Sequence, residues 1–170
     1  MRPTPADPEA WNAYLAEGNA TQARKRVSAD VLLRDEQGRV LLVKPTYKPG
    51  WDLPGGMAEA NEAPDDAARR ELREELGLDI TLHGLLVIDW VPPHGPWDDQ
   101  LAFIFNGGTL SREKVASLRP RDQELSELTF LAPDQAVQAL HDGLRRRFHV
   151  AMESWGGNTP VFLHDGATTS

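Results

Sequence analysis

The chain contains no cysteine, which excludes a disulfide framework, a thiolate-ligated zinc site and a cysteine nucleophile. It also lacks any apolar run of the roughly 18 residues that a membrane-spanning helix needs, and the opening Met1-Arg2-Pro3-Thr4-Pro5-Ala6-Asp7 has no apolar stretch of the secretory kind. A soluble cytoplasmic protein with no membrane partner is the expectation. Positive charge is in short supply: 18 Lys and Arg against 26 Asp and Glu give a formal net charge of −8. That balance argues against affinity built on neutralising nucleic-acid phosphates, so no nucleic-acid partner is expected, and capped RNA is a disfavoured substrate. An anionic small substrate then requires a cation between itself and the carboxylates.

What is present suffices for one folded domain. The 170 residues are 40% hydrophobic and 26% charged, near the average for soluble globular domains. Asp7-Pro8, then Glu9, Trp11, Leu15 and Gly18, predicts a short capped helix in an N-terminal extension over residues 1–25, packed on the edge of the domain. Val27–Arg34 and Val40–Val43, joined by Asp35-Glu36-Gln37-Gly38, predict a hairpin. Pro64 opens a helix to about Leu76 that stops at Gly77. Leu82–Val91, Leu101–Phe105 and Leu125–Leu131 read as strands, Pro133 to about Leu140 and Leu144–Trp155 as helices, and Val161–Leu163 as a last short strand. Strands and helices mix without regular alternation, which points to an α+β domain over 26–165, followed by a flexible tail at 166–170.

The helix after Pro64 carries the chemistry. At about 100° per residue, Glu71, Glu74 and Glu75 share one face, beside an apolar stripe of Ala68, Leu72 and Leu76. Such carboxylates repel one another by roughly 3 kcal/mol per pair at 5 Å and an effective dielectric near 20. Either the face is solvated and partly neutralised by Arg69, Arg70 and Arg73, or it offers oxygen ligands to Mg²⁺ or Mn²⁺. The preceding Leu53-Pro54-Gly55-Gly56 favours the second reading, because small residues let backbone approach the acids, and Glu62 adds a further carboxylate in the connecting loop.

From Gly56 to Leu78 the sequence resembles the Nudix box, G-x5-E-x7-R-E-U-x-E-E-x-G-U with U apolar, at every specified position. The flanks resemble the family as well, in the hairpin before the box, Trp51-Asp52-Leu53-Pro54-Gly55-Gly56 leading into it and Glu127-Leu128-Thr129-Phe130 before a Pro-initiated helix. The resemblance implies the Nudix fold, a mixed β-sheet sandwiched between α-helices, over about residues 26–155. It implies a divalent-metal-dependent pyrophosphohydrolase, acting on a nucleoside diphosphate linked to another moiety, such as a nucleoside triphosphate or an ADP-ribose-like nucleotide-sugar. It places the metal, Mg²⁺ or alternatively Mn²⁺, on Glu71, Glu74 and Glu75, with Gly55, Gly56 and Glu62 in the adjoining loop. Arg70 orients Glu71 or a neighbouring loop. The general base is either Glu71 or Glu124, with Asp122 and Glu127 as weaker alternatives.

Substrate selection lies outside the box. The only tyrosines, Tyr14 and Tyr47, precede it, which disfavours the dinucleoside-polyphosphate subclass. Pro93 lies 15 residues past Leu78, as in ADP-ribose pyrophosphatases, but in a loop crowded with Pro92 and Pro96. The family's cysteine-dependent isomerase is excluded. Tyr47, Trp51, Trp90, His94 and Trp97 are candidates for stacking on a base, Tyr47 and Trp97 foremost because they sit in loops; Lys44, Lys48 and Arg26 are candidates for phosphates. Two further expectations follow: the N-terminal helix covers either the active site or a partner in a homodimer, and the competing function is a non-catalytic module that senses a nucleotide metabolite.

Overall fold

The computed structural model describes residues 2–169. An eight-stranded mixed sheet runs in the order β6-β2-β1-β5-β4-β7-β8, with β3 paired to β1 off that path. Its strands are β1 (Arg26–Asp35), β2 (Val40–Pro45), β3 (Gly55–Met57), β4 (Leu85–Val91), β5 (Gln100–Leu110), β6 (Leu125–Leu131), β7 (Val161–His164) and β8 (Ala167–Thr168). β1 lies parallel to β5 and β4 parallel to β7, and the other pairings are antiparallel.

The pleat of β1 divides the core in two. Ala29, Val31 and Leu33 face one way and pack with Ala67, Ala68, Leu72 and Leu76 of α2 (Pro64–Leu76). Leu32 faces the other way and joins Ile104 and Val87 under Ala136 and Leu140, at α4 (Pro133–Ala139), and Leu144, Phe148 and Ala151 of α5 (Asp142–Glu153). Alternate residues therefore serve opposite layers, as period-2 strand geometry requires. This is the sandwich of mixed sheet between helices that the resemblance implies.

The hairpin of β1 and β2 forms around Asp35, whose carboxylate accepts from Gln37 N at 3.0 Å, Arg39 N at 2.8 Å and Arg39 Nε at 2.7 Å. Direct β1–β2 register is confined to Arg34 opposite Val40. Farther back, β3 takes the same edge of β1, placing Ser28, Ala29 and Asp30 opposite Met57, Gly56 and Gly55.

Three local expectations change. α1 (Pro8–Thr21) starts as predicted, with Asp7 Oδ1 accepting from Ala10 N at 3.1 Å, but it continues through Gly18 and buries none of its residues. A short helix α3 (Arg112–Ser117), capped by Ser111, has no counterpart in the sequence reading, because six residues with few apolar positions leave no periodic signal. Ala167 and Thr168, read as part of a flexible tail, pair with His164 and Leu163 of β7. Among the described residues no helix is long and apolar enough to cross a membrane.

Candidate active site

Helix α2 reaches the sheet through two glycines. Gly55 has φ +143°, and a Cβ there would collide with the backbone of Ala29 and Asp30. A Cβ on Gly56 would fall 2.5 Å from the Glu71 carboxyl carbon. The bare backbone of β3 thus lets the acidic face of α2 lie directly against β1. Glu75 is buried, and its Oε2 accepts from Gly55 N at 3.1 Å. Gly77, with φ +62°, ends α2 as expected: its N donates to Arg73 O and Leu78 N to Leu72 O.

Arg70 ties the acidic face together. Its Nε and Nη2 donate to the two carboxylate oxygens of Glu62 at 2.8 and 3.0 Å. Nη1 donates to Glu71 Oε1 at 2.9 Å and Glu74 Oε2 at 3.1 Å, and Nη2 also donates to Met57 O at 3.1 Å. Arg70, expected to orient Glu71 or a neighbouring loop, is within hydrogen-bond reach of both. The bidentate bond from Arg70 lowers the Glu62 carboxyl to about 2. Burial has the opposite effect on the acids nearer the sheet. It raises Glu75 to about 8, against the Gly55 bond and with help from the Glu71, Asp122 and Asp30 charges. Burial likewise raises Glu71, although Arg70 pulls it down.

A cleft of about 910 Å³ opens beside this wall, with Asp30, Gly55, Gly56 and Glu71 on its lining. Glu124 enters it from the loop before β6. The backbone of that loop is fixed by Thr46, whose Oγ1 donates to Gln123 O at 3.0 Å and whose N donates to Glu124 O at 2.7 Å. Tyr47, Lys48, Arg26, His94 and Trp97 also line the cleft, and Arg26 lies over the Trp97 ring at 4.6 Å.

Other sequence candidates fall elsewhere. Lys44 is not on the cleft: its Nζ pairs with Glu127 Oε1 at 2.9 Å and lies over the Trp51 ring, also outside it. Neither lines the cleft: Lys44 is opposite Glu127 in the β2–β6 register, and Trp51 packs against the core layer that contains Leu42 and Leu140. Trp90 is also off the cleft, its Nε1 donating to Asp99 Oδ2 at 2.7 Å. Glu74 is 55% exposed and turned to Arg70.

Several cleft residues had gone unnoticed in the sequence. Asp30 and Ser28 come from β1, Gln100 from β5, and His141 and Arg147 from the last helical region; Gln100 Nε2 donates to Ser28 Oγ at 2.6 Å. The available signal was a charge inside an apolar strand, as with Asp30 in Val-Ser-Ala-Asp-Val-Leu-Leu. Burial raises Asp30 to about 8, the Asp52 charge adding to it and Arg147 and Lys48 opposing.

The donor set suits a hard divalent cation. Glu71 and Glu75 are carboxylates whose ionised forms are penalised by burial and would be favoured by a cation. As the side chains stand, no three acidic or histidine groups among the described residues converge to enclose one. The reason is visible: Arg70 draws Glu71 and Glu74 to itself, while Gly55 holds Glu75.

A family model described as the NUDIX domain matches residues 24–151. The chain is similar to a MutT-like protein of Streptomyces ambofaciens, 28% identical over 142 residues that cover 81% of this chain and 82% of that protein. It is also similar to an RNA pyrophosphohydrolase of Halorhodospira halophila, 42% identical over 53 residues, 31% of this chain and 29% of that protein. It spans about a third of the length of several curated relatives that it matches. The NUDIX domain of a Shewanella oneidensis protein, solved in complex with ADP ribose, has the same fold: TM-score 0.68 at 19% identity, covering 85% of this chain and 98% of that one. With a complete box folded against β1 and a family match over most of its length, the chain belongs to the NUDIX domain family.

Proposed function

We propose that this protein hydrolyses a phosphoanhydride bond in a nucleoside diphosphate linked to another moiety, a nucleoside triphosphate or an ADP-ribose-like nucleotide-sugar, with Mg²⁺ or Mn²⁺ as cofactor and the domain at 26–165 as the catalytic unit. The observation that carries this reading is the desolvated Glu71–Glu75 pair, set against Gly55-Gly56 at the edge of a cleft large enough for a nucleotide. A bound divalent cation supplies charge neutralisation and water activation in such chemistry. Glu71, Glu74 and Glu75 would hold it, with Arg70 releasing Glu71 and Glu74 while keeping its two bonds to Glu62.

Glu124 is the better placed general base. It lines the cleft with no side-chain partner among the described residues, whereas Glu71 shares its carboxylate with Arg70. Tyr47 and Trp97, 70% and 55% exposed, are the aromatic faces available to a base.

The test is incubation with Mg²⁺ and a panel of nucleoside triphosphates, ADP-ribose, nucleotide-sugars and dinucleoside polyphosphates, with products identified by mass. Turnover is expected for at least one class and is expected to fall at least a hundredfold in Glu75→Gln. Nucleotide binding without product, in Mg²⁺ and in Mn²⁺, would replace the hydrolase by a sensing module.

A further inference from the structure

Arg147 stands out among the charged groups of the cleft. It is on the second turn of α5, only 9% exposed, and its Nε donates to Asp89 Oδ2 at 2.8 Å. Asp89 is 1% exposed, and its other oxygen accepts from Gly166 N at 3.0 Å. Nε is therefore fixed, and the carboxylate that fixes it is itself fixed. The two terminal nitrogens of Arg147 find no acceptor among the described residues, and the side chain lines the cleft.

A guanidinium carries five N–H donors in a planar fork. With Nε occupied, the outer edge of the fork keeps four N–H groups that an apolar core would not tolerate unpaired. Asp30 on the same cleft is close enough to feel the Arg147 charge, and the remaining neighbours suit an anion. Gly143, one turn earlier on the same helix face, adds no side chain: a Cβ there would sit 3.7 Å from Arg147 Nη2. In the first turn of this 12-residue helix, Leu144 N is taken by His141 Nδ1 at 3.4 Å and Arg145 N by His141 O at 2.8 Å, which leaves the Asp142 and Gly143 N–H groups without acceptors among the described residues.

From this arrangement we infer that Arg147, with the first turn of α5, binds a phosphate group of the substrate's cleaved chain, from a wall of the cleft that does not belong to the acidic helix. The assignment rests on the hydrolase reading for the identity of the substrate, but not for the presence of a phosphate subsite. Asp89 is then a positioning residue, which turns the free edge of the fork into the cleft and sets which half of the substrate meets α5.

Calorimetric titration with inorganic pyrophosphate in EDTA tests the subsite without any turnover. The wild type is expected to bind. Arg147→Lys, which keeps the charge but loses the fork, is expected to weaken binding at least tenfold, whereas Arg73→Gln on the exposed face of α2 is expected to bind as the wild type does. Arg147→Gln combined with Asp89→Asn replaces the buried ion pair by two uncharged amides and keeps the test informative where the lysine variant unfolds. Thermal melts of each variant are read alongside. Loss of pyrophosphate binding in a folded variant supports the subsite. Failure of the wild type to bind, or unchanged binding in folded Arg147 variants, overturns it and leaves Asp89–Arg147 as a purely structural pair. If no nucleotide is hydrolysed but pyrophosphate still binds through Arg147, the subsite stands and the hydrolase reading falls.

Discussion

Asp30 and Asp35 lie five residues apart on β1, Asp35 buried and Asp30 half-buried at the cleft, and their carboxyls are shifted in opposite directions. Burial alone would raise Asp35, but the bonds from the backbone and side chain of Arg39 and from Gln37 N hold it below the usual carboxylate range. Asp30 has no hydrogen-bond donor among the described residues, so burial and the neighbouring Asp52 charge raise it to about 8. One end of the strand is closed by a turn that meets its acid locally. The other end borders a cleft in which the Asp30 carboxyl meets no donor among the described residues. Desolvation thus acts on both carboxyls, and what separates their shifts is whether the surrounding chain supplies the donors.

The largest expected effect concerns the layer that backs both ends. Leu72 is fully buried under the β1 side chains Ala29, Val31 and Leu33. Leu72→Ala should therefore destabilise the fold by about 2–5 kcal/mol, read by denaturant titration. A smaller loss would mean that α2 is not what seals this face.

Next, Asp35→Ala should cost about 1–3 kcal/mol, because it leaves the Gln37 and Arg39 donors without their acceptor. Asp30→Asn, at the open end, should leave stability at neutral pH unchanged or raise it. Equal losses for the two variants would abolish the distinction between the ends.

The last expectation concerns the pH dependence, whose two arms have opposite sign. Asp30 has a raised folded value, so its contribution in metal-free protein is complete below the unfolded carboxylate range and is lost as pH rises towards about 8. Asp35 has a lowered folded value, so its contribution is present above the unfolded range and is lost as pH falls through that lowered value. Thermal melts in EDTA from pH 3 to 9 should show Asp30→Asn flattening the fall in stability from the unfolded carboxylate range up to about pH 8, and Asp35→Asn flattening the acid arm.

Much of this was legible in the residues, and the parts that were not have physical reasons. The span of α2 followed from Pro64, the 3.6-residue apolar stripe and Gly77, all local signals. The β1–β2 turn followed from Asp35 to Gly38 in the same way. The cleft did not, because Asp30, Asp89 and Arg147 come from β1, β4 and α5, and only the sheet order brings them together. Asp30 and Asp89 were visible merely as charges in apolar stretches, and Arg147 as the last of three consecutive arginines. Lys44 illustrates the converse: its place in the chain suggested a phosphate contact, and the β6 register gave it to Glu127.

The bond from Gly166 N to Asp89 also bears on how the protein can be handled. A deletion that ends the chain before Gly166 would remove the second donor to the carboxylate that steadies Arg147, so an error at the C-terminal boundary would register as weakened ligand binding. α1 buries none of its residues, which makes the other end the safer place to attach an affinity handle or a fluorophore.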